Sequence, residues 1–300
     1  MIHALTKCDQ FIFNPDPDLR TLPEQIFTAT FLVSLFSFGV IHWVVFLQFG
    51  NMSFSDITTD WPTQLIYYQA LTTILYEPAI PYFVAPLSGP AGNYFLGNPE
   101  IVLSPQIVLL RFMSVGSFVL TNTLIMYTIG FWGCLVIRKH YQLSPVPFLL
   151  LFLLFNINGH ITSHISAGHS MWNGYFLLPL FLHLVIELFN RKRTNKTLIS
   201  VSISLVLFAM VLQGSFHIFD WCLVFLILVS LFNRQLWKQT FYTIFLSIGL
   251  SLFRLAPAAM VFTGFKSSYA SGYPTFGTFI DGMTTIKAFT FEHVRIQGSE

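Results

Sequence analysis

Charged residues are scarce in this sequence: they make up 9% of its 300 residues, where soluble domains carry about 25%. A chain so poor in charge cannot cover a water-facing surface, which excludes a soluble globular domain. Basic residues outnumber acidic ones only 15 to 13, and no basic run exceeds four residues, so nucleic acid is not among the expected partners. There are three cysteines. Cys134 and Cys222 lie in apolar runs and Cys8 near the start, which gives neither a metal spacing nor a disulfide framework. A Gly-rich phosphate loop, a Ser-His-Asp set and a nucleotide-binding pattern are all missing, which disfavours soluble nucleotide-sugar chemistry. The polar leader before Phe27 holds Asp9, Asp16, Asp18 and Glu24. It does not read as a cleavable signal peptide, so the first apolar run is expected to be a retained anchor.

What the sequence has instead is apolar length. Apolar residues reach 54%, with 34 Phe spread along the chain, and the mean hydropathy is +0.66. The expected fold class is an all-α membrane protein, one membrane domain over 1–300 with about seven transmembrane helices. The candidate spans are Phe27–Phe49, Ile107–Ile137, Leu143–Ile157, Trp172–Phe189, Leu198–Leu212, Ile218–Phe232 and Phe241–Phe262. Ten of the fifteen basic residues fall on one side of this alternation: Lys7 and Arg20, Arg138 and Lys139, Arg191 to Arg193, Lys196, Arg234 and Lys238. By the positive-inside rule that side is the cytoplasm. The expected protein is then a multi-pass cell-membrane protein with a cytoplasmic N-terminus. A long first loop (50–106) and a tail (263–300) face outside. The polar tail has no closing span, so a C-terminal truncation is also expected.

Chemistry is expected on the outer face, where the loops carry the acids and histidines. In the first loop the string TTDWPTQLIYYQ places Asp60 before Trp61 and Pro62. Asp60 suits a helix N-cap, Pro62 is tolerated in the first turn, and nothing breaks a helix before Pro78. Rich in Trp and Tyr, the segment 61–76 reads as a helix lying along the outer interface. Capping is one reading of Asp60; a base held still by its helix start is the other. Asp56, four residues earlier, is its understudy. In the second loop His160 and His164 would share a helix face, and His169 follows five residues on. With Asp60 or Glu100 they could line a polar cavity or hold a divalent metal. His42 and His183, inside apolar runs, read as helix–helix hydrogen-bonding partners. Arg254 lies inside the seventh span, where an ionisable group is a functional candidate by default. Arg111 is a second cation near the outer end of the second span. Both have the planar donors that suit phosphate.

A first span, a long external loop with an early acid and interfacial helices, then short-looped spans: this layout resembles the GT-C membrane glycosyltransferases. The strings FLGNPEIVLSP (95–105) and HISAGHSMWNGYFLLPL (164–180) also resemble large membrane proteins of that class. The resemblance implies transfer of a sugar from a polyprenyl-phosphate donor to an acceptor outside the bilayer, with Asp60 (Asp56 as understudy) as base. Arg254 and Arg111 would hold the donor phosphate, and a divalent ion (Mg²⁺ or Mn²⁺) is optional. The adjacent acid pair of the protein mannosyltransferases is missing. A transporter or lipid flippase, and a non-catalytic membrane assembly protein, are the competing expectations.

Overall fold

In a computed structural model of the chain, the described residues are 22–76, 100–101, 103–157, 159–190 and 195–263, the last four by backbone only. The tail 264–300, Glu77 with the segment 77–99, the leader with Lys7 and Arg20, and the basic cluster Arg191 to Arg193 lie outside them. Every regular element among the described residues is helical: α1 (Leu22–Phe46), α2 (Trp61–Tyr76), α3 (Val115–Tyr141), α4 (Pro145–Asn156), α5 (Gly159–Ser166), α6 (Leu178–Phe189), α7 (Lys196–Leu212), α8 (Phe216–Phe232) and α9 (Trp237–Thr263). Short 3-10 turns at 105–111 and 170–177 precede α3 and α6.

Each expected span is helical, with its ends moved for local reasons. The second begins late because Ser114 starts a new helix, its hydroxyl accepting from Ser117 N at 3.3 Å. The third stops at Asn156 and resumes as α5. The fourth opens as a 3-10 turn and becomes α-helical at Leu178, with Pro179 in its first turn. The interfacial segment is helical over the predicted 61–76. Five stretches are long and apolar enough to cross a bilayer: 22–46, 115–141, 145–166, 170–189 and 234–259. At 17 residues each, α7 and α8 are shorter, about 25 Å of helix against a ~30 Å hydrocarbon core.

Packing follows the rules of helices in lipid. Rings of Trp43, Phe118, Tyr127, Phe148, Phe152 and Phe176 are fully buried, and Trp43 meets Phe176 edge-to-face at 5.6 Å. Small hydroxyl residues fill the α7–α9 seam: Ser200, Ser204, Thr243, Ser247 and Ser251 are all enclosed, and Ser204 Oγ donates to the Thr243 carbonyl at 3.0 Å. Outward-facing Phe38, Ile41, Leu154, Leu228 and Phe245 are exposed, as a lipid-facing surface requires. This is the build of a multi-pass helical membrane protein.

Candidate functional site

The end of the bundle where α1 finishes and α3 starts carries the site. Asp56 opens it by accepting from Thr58 N (2.9 Å) and Thr58 Oγ1 (2.6 Å), a local Asx turn whose hydrogen bonds hold the Asp56 carboxyl below its ordinary range. The chain then docks on the end of α5. Asp60 N donates to the Ala167 carbonyl at 2.8 Å, and Trp61 Nε1 donates to the Ser166 carbonyl at 3.2 Å. Gly168 makes this approach, at φ +96°; a Cβ there would lie 2.6 Å from Trp61 N and 2.8 Å from the Asp60 carbonyl carbon. Only glycine fits both the backbone angle and the space.

That contact puts Asp60 against the histidines. His169 Nε2 lies 2.9 Å from Asp60 Oδ2, and His169 Nδ1 lies 2.9 Å from His164 Nδ1. A carboxylate only accepts, so His169 Nε2 carries a proton; in neutral His169, Nδ1 then accepts from His164 Nδ1–H. The three side chains form a linear hydrogen-bonded relay. Its far end rests on an aromatic platform: His164 stacks on Trp172 with centroids 3.8 Å apart and planes 10° from parallel. His160 meets Trp172 edge-on at 4.8 Å, while His217 and the exposed Trp221 flank the indole at 6.4 and 5.7 Å. Beside the relay, a pocket of about 260 Å³ is lined by Phe46, Leu47, Met52, Asp56, Trp61 and Ile165, among others.

A second carboxyl lies one layer deeper. Glu100 is enclosed; Gln64 Nε2 donates to its Oε1, and Ser170 Oγ sits 3.4 Å from its Oε2. Tyr68 and Ser170 hydroxyls are 2.7 Å apart. Gln64 and Tyr68 are one turn apart on the buried face of α2, which is why that helix contributes both. Arg254 Nη2 donates to the Glu100 backbone carbonyl at 2.8 Å, its guanidinium 5.3 Å from the Phe216 ring centroid. Gly214 (φ +80°) admits the Glu100 backbone, since a Cβ would meet its main-chain atoms at 2.6 to 2.7 Å. Burial pushes the Glu100 carboxyl up to about 7, opposed by the donors Gln64 and Ser170 and by the Arg254 charge, with the Asp60 charge adding to the rise.

Comparison with protein-family models, curated proteins and solved structures returns no match to this chain.

Of the predicted residues, Asp60, His164 and His169 are brought together, His160 joins them through its ring, and Glu100 and Arg254 meet behind them. Four expectations change. The Asp60 carboxylate does not cap α2: it faces His169, and Thr59 Oγ1 takes the Trp61 N–H at 3.4 Å. Arg254 is fully enclosed and turned to Glu100, which in this conformation makes it a backbone clamp rather than an open phosphate ligand. Arg111 stays apart from both sets, exposed, 5.5 Å from the Tyr76 ring centroid. The histidine donor atoms do not converge for a metal here, because both nitrogens of His169 are engaged along the relay. Among the described residues the converging group is instead His140, His183 and Glu187. Trp172, Trp221, Gln64, Tyr68 and Ser170 lie outside the candidates that the sequence offers. Trp172 lies three residues past His169, and that short spacing was the available signal.

Proposed function

We propose that this protein is a GT-C-like glycosyltransferase moving a sugar from a polyprenyl-phosphate donor to an acceptor hydroxyl at the outer membrane surface. The observation that carries the reading is the Asp60 carboxylate: 64% exposed, yet held at 2.9 Å by His169. Such a group is both reachable by a ligand and fixed in direction, as a general base must be. Asp60 Oδ1 takes the proton of the acceptor hydroxyl as the acceptor oxygen attacks the anomeric carbon. The carbon–phosphate oxygen bond breaks, and polyprenyl phosphate leaves with the electron pair, inverting the centre. The His169 Nε2–H donating to Oδ2 steadies the Asp60 charge and fixes its direction, and the proton taken on Oδ1 leaves from that open oxygen to water. The exposed Trp221 offers an indole face for the apolar side of a sugar ring. Arg111 sits at the Tyr76 end of α2, about 20 Å of helix from Asp60, so on this reading the donor phosphate beside Asp60 would be met by a divalent ion (Mg²⁺ or Mn²⁺), which would assist its departure.

The reading includes seven spans, a cytoplasmic N-terminus and an external site. It is supported by α3 and α6, the second and fourth spans, whose contacts run in the same direction: Gly133 packs on Pro179 and, two turns on, His140 packs on Glu187. Spans an even number apart must run parallel. The test is transfer of labelled sugar from polyprenyl-phosphate donors by the protein in liposomes. Wild-type transfer that survives unchanged in Asp60→Asn overturns the role of Asp60.

One observation favours a transporter or flippase instead: the enclosed Glu100 carboxyl, pushed up to about 7, could load and release a proton near neutrality. Proton-coupled flux in liposomes, abolished by Glu100→Gln and indifferent to Asp60→Asn, would select that reading. A non-catalytic assembly protein predicts neither activity.

A further inference from the structure

At the other end of α3, far from the relay, lies a second imidazole–carboxylate cluster. His140 Nδ1 is 3.0 Å from Glu187 Oε1, and the His140 and His183 rings are 5.6 Å apart. One donor atom from each of His140, His183 and Glu187 lies within 4.8 Å of the other two. His183 and Glu187 are one turn apart on α6, so their side chains share a face, and His140 comes from the last turn of α3. The close approach upstream sets the register, since a Cβ on Gly133 would meet Pro179 Cβ at 2.9 Å. From that crossing His140 is two turns along one helix, and His183 and Glu187 are one and two turns along its parallel neighbour.

We propose that His140, His183 and Glu187 form a divalent-metal site of the zinc class joining the ends of α3 and α6. Two imidazoles and a carboxylate are ligands that Zn²⁺ accepts. Tetrahedral coordination with bonds of about 2.0–2.1 Å places donor atoms roughly 3.3 Å apart. His140 and Glu187 already have that spacing, and His183 reaches it by a side-chain shift of about 1–1.5 Å, within the reach of a rotamer adjustment. The Glu187 side chain is 7% exposed and that of His140 26%, so the carboxylate is desolvated while one side remains open to an arriving ion. The neighbouring guanidinium of Arg138 is 5.6 Å from the Phe148 ring centroid. With three protein ligands, the fourth tetrahedral position goes to water.

The test uses the full chain purified in detergent with a tag that contains no histidine run. Zn²⁺ content is measured by mass spectrometry, and titration with Co²⁺ reads the visible d–d absorption of a tetrahedral nitrogen–oxygen site. The expected result is one ion per chain, with affinity falling at least about 10-fold in Glu187→Gln and His183→Ala. His140→Gln, at the partly exposed ligand, gives the same loss in a variant whose size-exclusion profile can be matched to wild type. Asp60→Asn at the distant relay keeps the ion. A wild-type protein that binds no Zn²⁺ or Co²⁺, or a well-folded His140→Gln that binds as tightly as wild type, overturns the proposal.

Discussion

Asp60 and Glu100 lie in neighbouring layers of the same end of the bundle, and each is met by the turn at 168–170, yet they are built for opposite ends. The Asp60 carboxylate stands in the open with one imidazole holding one oxygen. Glu100 is wrapped by Gln64, Ser170 and Arg254, and its backbone as well as its carboxyl is engaged. The difference teaches that solvent access, more than residue type, divides labour here. On the proposed reading, the group that meets a ligand is fixed from behind by a single rigid partner. A group that must join α2, α9 and the 100–106 segment is satisfied on all sides, because a buried carboxyl left short of donors costs more than the contacts return.

The comparison breaks most visibly at Asp60. Asp60→Asn is expected to lower transfer about 10²–10⁴-fold, with the thermal midpoint of the detergent-solubilised protein moved by no more than about 2 °C. Loss of folding together with activity would put Asp60 in the same structural class as Glu100. For Glu100 the expected readout is stability against pH. Its folded-state carboxyl is pushed up from 4.5 to about 7. Below the lower value both states hold the proton. Between the two, the unfolded chain ionises first, so stability falls as pH rises and levels off above 7 at a loss of about 3 kcal/mol. Glu100→Gln should flatten that profile between pH 4.5 and 8 in denaturation measurements.

Gly168 sharpens the contrast because it serves the open layer by geometry alone. Gly168→Ala adds a Cβ against Trp61 N and strains a positive φ, at an expected cost of about 1–3 kcal/mol. It should also displace His169 from Asp60, seen as a change in the His169 imidazole resonance and a larger loss of activity than of stability. The smallest effect is expected at Asp56, whose carboxylate serves its own turn. Asp56→Ala should keep transfer within about twofold of wild type, and a loss as large as that of Asp60→Asn would return Asp56 to the catalytic set.

Much of the helical framework was legible in the sequence because hydropathy and helix stop signals are local. The run 61–76 could be bounded by Asp60 and Pro78 without knowing any neighbour, and the apolar runs fell where helices formed. The pool of candidate side chains was also legible, since polar residues in so apolar a chain stand out. Their partners were not. Asp60 and His169 are separated by 109 positions and Glu100 and Arg254 by 154. Arg254 illustrates the limit: its depth in an apolar run marked it as special, but nothing local said that it would face a backbone carbonyl instead of solvent. His183 was read as a helix–helix partner, yet its company with His140 and Glu187 depends on how close Gly133 lets α3 approach α6.

By itself, then, the sequence determined the solvent: with 9% charge and 54% apolar residues, it had to bury its helices in lipid and place its polar chemistry at their ends. Only the tertiary structure decided which carboxylate stays open, which is enclosed, and which histidines meet. Helix periodicity carries information over a few turns, whereas a hydrogen bond between distant segments is fixed by helix crossings, and those are set by packing at positions such as Gly133, Gly168 and Gly214.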